Sequence, residues 1–471
     1  MKPGDFKEFK PGQVGKIPAD AFQEFRPEQV KALDPDQVAA FKPGQVGQLP
    51  PEAMAGFRPN QVEALRPAAF GQFNPDQLGA IPPKAMKAFD NKQLGALPPT
   101  AMAGMRPEQV RQMPPDAMRG IKPAQMGAMP PDAFSGFKAN QVGELPARAF
   151  GALQPDQLGA IPPSAMRGME PAQLGAVPPE AMAQMSPQQI RQMPPDAMGR
   201  LKPAQMEAMP PTAFAGFRPA QVEEMPARAF AGIQPDQLQA MPARSFRAME
   251  PNQFGALPAE TVGALQPAQL RQLPVDTFSG FRPNQVEAMP PAAFSGFKPN
   301  QVEAMPPRAF GGIQPDQLGA MRPAAMRGLE PRQLGALSPT AMGAMSPQQM
   351  RQVPPDAMSG IKPGQVTALP PEIFEALRPG QAAALPPRAV RALEADQVGA
   401  LSPAAMGELS GRQLGAIKPN AMAGVTPAQI KQIAPSDVDA IKPAQVAALQ
   451  PETVGGLTRR QLAEVSPAQA R

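Results

Sequence analysis

The chain has 471 residues, among them 68 Pro, 41 Gly, 30 Met and 23 Phe, and it contains no His, Cys, Trp or Tyr. Those absences exclude disulfides, imidazole or thiolate catalysis and Cys/His metal sites. Lys plus Arg number 45 against 40 Asp plus Glu, a net charge of +5, which is too small a surplus to mark a basic nucleic-acid-binding domain.

The N-terminal MKPGDFKEFK has no apolar h-region, so no signal peptide is expected. Nowhere does an apolar run approach the roughly 18 residues of a membrane span, so no membrane insertion is expected. From Pro3 the sequence divides into 58 consecutive octapeptides, ending at Ser466, without insertion or deletion. Numbering each octad 1 to 8, every proline falls at position 1 or 8. Position 7 is a large apolar residue throughout, and position 4 is so in every octad but the one containing Ala382. No charge enters either column, and all Phe and every Met except Met1 lie in them.

Apolar residues three apart have helical spacing, not the two-residue alternation of a strand. Proline is favoured at the first turn of a helix, where its missing amide would be unpaired anyway. Each octad therefore reads as one short helix, opened by its proline and closed by the next. Such helices fall far below the ~12–15 residues of marginal independent stability, so they can persist only by burying positions 4 and 7 against neighbouring repeats. This predicts an all-α solenoid, with residues 1–471 forming a single continuous repeat array and no separate globular domain. A β-solenoid is the competing fold. It accounts for the regular period but needs β-branched inward residues rather than Ala, Met and Gln.

Two octad types alternate. One carries Ala at position 3 and mostly Gly or Ala at position 6, as in PDAFSGFK from Pro131, and the other carries Gln at position 3, as in PAQMGAMP from Pro123. Gln fills position 3 in all 29 octads of the second type, including Gln61, Gln77, Gln93, Gln109, Gln125, Gln141 and Gln157. At the third helical position Gln can reach back to the N-cap amide, half of a capping box. The column is thus expected to be a structural ladder binding its own coil and the next. The simplest geometry for the alternation is two helices per 16-residue coil.

A super-repeat of ten octads overlies this pattern: RQMPPDAM at 111 returns at 191, as RQLPVDTF at 271, as RQVPPDAM at 351 and as KQIAPSDV at 431. It places Lys122, Lys202, Lys138 and Arg218 in basic bands at position 8, and Glu170 and Glu250 in acidic ones. With two octads per coil these bands would alternate along one stripe, and a neighbour staggered by four octads would pair opposite charges. The first octad, PGDFKEFK, is nearly regular and the chain closes on SPAQAR inside an octad, so adhesive ends are expected, with the chain either cut from something longer or stacking end to end with further copies.

Ser135, Ser186, Ser279 and Ser295 stand alone in variable columns without a base beside them, and no cofactor or enzymatic activity is expected. Phe is confined to core columns, leaving no aromatic platform for bases, so no nucleic-acid partner is expected either. The motif in FRPNQVEALRP and IKPAQVAALQP resembles the tandem TPEQVAAL-type octapeptides of large bacterial surface and secreted repeat proteins. The likeness covers essentially the whole chain, although Lys, Arg or Pro often replaces the Thr or Ser cap. It implies a non-enzymatic structural or adhesive repeat region at the cell surface, associating with itself or with another surface protein. The alternative is an α-solenoid binding a peptide or other extended partner along one face. IPPSAM and LPARAFGAL resemble the IPxxAFxxL piece of leucine-rich repeats, but the two-octad period is too short for that family and its LxLxxN strand is missing.

Overall fold

A computed structural model describes residues 8–465. Among these residues every regular element is a short helix of four to six residues and none is a strand, so the fold is an all-α solenoid and not a β-solenoid. The helices group into two compact units, Met1–Ser245 and Phe246–Arg471.

Each octad spends its first positions on helix and its last two on a corner. Pro115–Gly120, Pro123–Ala128 and Pro131–Gly136 are successive examples, the first and third of them 3-10 helices and the second an α-helix. Ile121 (φ −66°, ψ 130°) and Lys122 (φ −99°, ψ 156°) between the first two are extended. A residue that precedes proline is disfavoured in the α region, which accounts for the extended position 8. The corners need no left-handed backbone: among the described residues no φ is positive, at glycine or elsewhere.

The coil contains three helices. Pro107–Gln112 packs against Pro83–Ala88 before it and Pro131–Gly136 after it, three octads away in either direction. In the second unit Pro323–Gly328 packs in the same way against Pro299–Ala304 and Pro347–Gln352. This corrects the expected two helices per coil: each octad turns the chain through a third of a coil, not half. An odd number of octads per coil has a packing consequence. Within each unit a Gln-type helix stacks on Ala-type helices, never on its own kind, among the described residues.

That unlike stacking explains the glycines of column 6. Gly104 lies against Pro75 in the coil before it, and a Cβ at Gly104 would overlap the Pro75 carbonyl oxygen. The same holds for Gly120 over Asn91 and Gly168 over Ala139. Gly44, by contrast, has open space at its Cβ position. Gly104→Val is expected to destabilise the chain by about 1–3 kcal/mol through overpacking, while Gly44→Ala should be neutral or slightly stabilising. Urea denaturation followed by circular dichroism checks both.

Columns 4 and 7 form the core, as the spacing predicts: Phe134 and Met126 are each 1% exposed, Val142 0% and Leu65 2%. Rings meet within and between octads, with Phe70 tilted on Phe73 at 5.0 Å and edge-on to Phe89 at 5.1 Å. The alanines of column 3, such as Ala85, Ala101 and Ala117, are also fully buried. The inward face is therefore 3, 4 and 7, wider than the two columns marked by large apolar residues.

Candidate functional site

Gln61, Gln77, Gln93, Gln109, Gln125, Gln141 and Gln157 are all buried, and each ties its helix to the coil below. Gln125 shows the pattern. Its Oε1 accepts from the backbone amide of Lys122 at 2.8 Å, and its Nε2 donates to the carbonyls of Leu94 and Leu97, each at 2.8 Å. Gln61 does the same with Arg58 N, Val30 O and Leu33 O, and Gln141 with Lys138 N, Val110 O and Met113 O. Two of these partners are groups a short helix leaves unpaired, an amide at its own start and the carbonyl just past the end of another helix; the third, such as Leu94 O, also accepts from a backbone amide, that of Leu97 at 3.3 Å. One side chain reaches all three.

The absence of Gln after a Pro N-cap follows from this. Every Gln-type octad is preceded by a residue with a backbone N–H, whereas most Ala-type octads are preceded by Pro, which has no donor for a Gln to accept from. Ala also follows the non-Pro caps Arg66, Arg322, Ser338, Ser402 and Lys418, but the one octad of the Ala register that carries Gln has such a cap. Its N-cap is Asp34, not Pro, and position 3 is Gln37, whose Oε1 accepts from the Asp34 amide at 2.8 Å. The second arm of a capping box depends on the N-cap side chain. Asn74 Oδ1 and Asp90 Oδ1 accept from the Gln77 and Gln93 amides at 2.8 and 2.7 Å. The Lys and Arg caps have no lone pair to offer.

Column 3 of the Ala-type octads holds a set of contacts that the alternation conceals. Ser245 Oγ donates to Phe217 O at 2.8 Å, Thr277 Oγ1 to Met249 O at 2.5 Å and Thr453 Oγ1 to Val425 O at 2.7 Å. Each spans the same sequence offset as the second Gln carbonyl, from Gln125 to Leu97. Their signal in the sequence is polarity in an otherwise Ala column.

The position-8 charges are N-cap residues at the corners. Lys122, Glu170 and Arg218 follow one another at intervals of six octads, two coils, and so share one edge, with Pro146 and Pro194 between them. Lys138 and Lys202 lie on the other two edges, and in the second unit Glu250 caps Pro251–Ala256. A four-octad stagger is one coil plus one octad, so it moves a charge to a different face, and the single-stripe arrangement does not form. Nor is every charge available: Arg218 Nη2 donates to Met193 O at 3.0 Å, and Arg58 Nη2 donates to Lys31 O.

The ten-octad repeat has a local counterpart on the surface. Arg167, Arg247 and Arg327 donate from Nε to Gln192, Gln272 and Gln352, the Gln of each RQ motif, at 2.8, 2.6 and 2.7 Å. Arg119 instead meets Glu144 at 2.6 Å, and that hydrogen bond and charge raise the guanidinium pKa further.

In the second unit the cations gather. A depression of about 1010 Å³ is lined by Arg388, Arg391, Arg412, Lys418 and Lys442, and one of about 300 Å³ by Arg332, Lys362 and Arg388. No carboxylate lines either among the described residues. Near residue 460 the surface is apolar instead: Val454 and Leu462 are 40% and 53% exposed and line a depression of about 380 Å³ with Val438, Ile441, Leu449 and Leu457. Among the described residues no helix is long and apolar enough to cross a membrane. Residues 3–7 of the first octad and the closing SPAQAR, on which the expectation of end-to-end stacking rests, lie outside the described residues. No protein-family model matches the chain, and no curated protein sequence matches it.

Proposed function

We propose that the chain is a non-enzymatic structural scaffold, a repeat region that associates with further copies of itself in a surface or extracellular assembly. The observation that carries this reading is the repeated three-bond Gln junction. It consumes the column's polar capacity in joining coil to coil and leaves those side chains none for substrate. A fold built from one junction used many times is suited to spanning and supporting, since each repeat needs only its neighbours.

Self-association is supported by Val454 and Leu462, column-4 residues that stand exposed where their counterparts elsewhere are buried. A second contribution comes from the edge carrying Lys122 and Glu170, where a neighbour shifted by two coils would oppose unlike charges. Exposed pairs contribute only about 0–1 kcal/mol each, so the apolar surface is the stronger element. Purified protein is expected to form ordered polymers in negative-stain electron microscopy. Val454→Lys with Leu462→Glu should shift it to monomers by light scattering without changing its circular dichroism. Strictly monomeric wild type at high concentration would end the scaffold reading.

The second reading, a solenoid that binds an extended partner, is favoured by one feature: the pair of basic depressions that share Arg388.

A further inference from the structure

Arg388 and Arg412 both occupy position 2 of their octads and stand three octads apart, so they repeat at the same place on consecutive coils. Stacked helices lie about 8–10 Å apart, which sets the spacing of this pair. Arg391 is the C-cap of the four-residue helix that carries Arg388, and Lys418 and Lys442, themselves three octads apart, also line the depression. Arg332 and Lys362 line the second depression together with Arg388. All of these side chains are exposed except Lys418, which is half-buried. The nearby acids are engaged. Glu394 lies 3.3 Å from Lys418 Nζ, and Asp437 Oδ1 accepts from the Gly411 amide at 2.8 Å. The groove therefore presents a strong excess of positive charge across at least three coils.

The rest of the lining limits what can bind. Pro363, Pro387, Pro419, Ala392, Ala416 and Gly415 give shallow walls with no aromatic ring. Single-stranded nucleic acid gains much of its affinity by stacking bases on aromatic side chains, and none is available. An extended peptide is usually held by main-chain pairing at a sheet edge or by deep side-chain pockets. Here there is no strand among the described residues, and the walls are small side chains. What the groove offers is a row of guanidinium forks, which match planar or tetrahedral oxyanions bidentately. We propose that the groove from Arg332 to Lys442 binds a linear polysaccharide bearing sulfate or uronate groups, its oxyanions held by Arg388, Arg391 and Arg412. This site is independent of the scaffold reading, because it is read by ligand binding and not by assembly.

The test uses the full-length protein and fluorescently labelled dextran sulfate, with polygalacturonate as the uronate arm. Neutral dextran, an oligo-dT strand and polyglutamate serve as competitors or controls. Dextran sulfate or polygalacturonate should bind the wild type, with affinity falling steeply as salt rises because bound counterions are released. Arg388→Glu, Arg391→Glu and Arg412→Glu together should weaken binding about tenfold or more, since charge reversal replaces attraction by repulsion. Lys31→Glu, Lys42→Glu and Arg66→Glu, three exposed cations of the first unit, make the same change in net charge and should alter binding far less. Circular dichroism confirms that both triple variants fold. Equal loss in the two variants would show attraction to net charge alone and overturn the site. Oligo-dT or polyglutamate binding as tightly as the charged polysaccharides would overturn the ligand class. Failure of both charged polysaccharides to bind at low salt would overturn the proposal as a whole.

Discussion

Gln125→Ala is expected to lower the stability of the first unit by about 2–3 kcal/mol, because one truncation orphans two buried backbone groups at ~1–3 kcal/mol each, partly relieved by water entering the gap, and leaves Leu94 O with only its bond from the Leu97 amide. The amide of Lys122 loses its acceptor, and the carbonyls of Leu94 and Leu97 lose their shared donor. Gln125→Glu separates the two halves of the junction. A carboxylate can still accept from the Lys122 amide, but it faces two carbonyl oxygens that it can only repel. Its pKa in the folded chain should therefore rise above the ~4.3 of an unfolded Glu. A group with a raised folded pKa binds more protons folded than unfolded, so stability falls as pH rises through that window. The Glu variant should be closest to wild type below about pH 4 and progressively weaker towards neutrality, while the Ala variant shows no such slope. Urea denaturation at several pH values checks this. A Glu variant as stable as wild type at pH 7 would mean that the Nε2 bonds contribute nothing.

The same junction shows which parts of the architecture were legible in the sequence. Prolines confined to positions 1 and 8, with apolar residues three apart between them, are enough to give short helices, an all-α solenoid and the columns around Leu65 and Phe134. The number of helices per coil was not legible. A chemical period of two octads suggests two helices, but its origin is local: Gln never follows a Pro N-cap, which has no amide to satisfy, and the one Gln in the Ala register, Gln37, follows Asp34. The coil is set instead by how far two extended residues such as Ile121 and Lys122 turn the chain, and their side chains do not encode that angle. Once the coil is three octads long, features hidden by the shorter period emerge. Gly104 meets Pro75, Arg388 aligns with Arg412, and Lys122 shares an edge with Glu170 and Arg218. The basic groove in particular could not be seen at a spacing of two or ten octads.

Leu65→Asp should have the larger effect and a defined reach. Leu65 is 2% exposed in column 7. Removing a buried Leu side chain costs about 2–5 kcal/mol through lost contacts and cavity formation, and burying a carboxyl without a partner adds a few kcal/mol more. A total on the order of 5 kcal/mol is a large part of what holds a domain folded. The introduced carboxyl gains no partner from its surroundings, because the Leu65 carbonyl already accepts from Gln93 Nε2 at 2.9 Å and the flanking columns are apolar. Contacts in this solenoid run to helices three octads away on either side, so damage should spread by coils. Hydrogen exchange should show protection lost first in Pro59–Ala64, then in Pro35–Ala39 and Pro83–Ala88, the helices stacked on it. Helices several coils away, such as Pro203–Ala208, should keep their protection at mild denaturant concentrations, because repeat arrays are stabilised by nearest-neighbour interfaces. Loss of protection in a single step from Pro35 to Ala208 would show instead that the first unit unfolds as one cooperative block, in which case the Gln junctions couple coils more strongly than neighbour-by-neighbour packing allows.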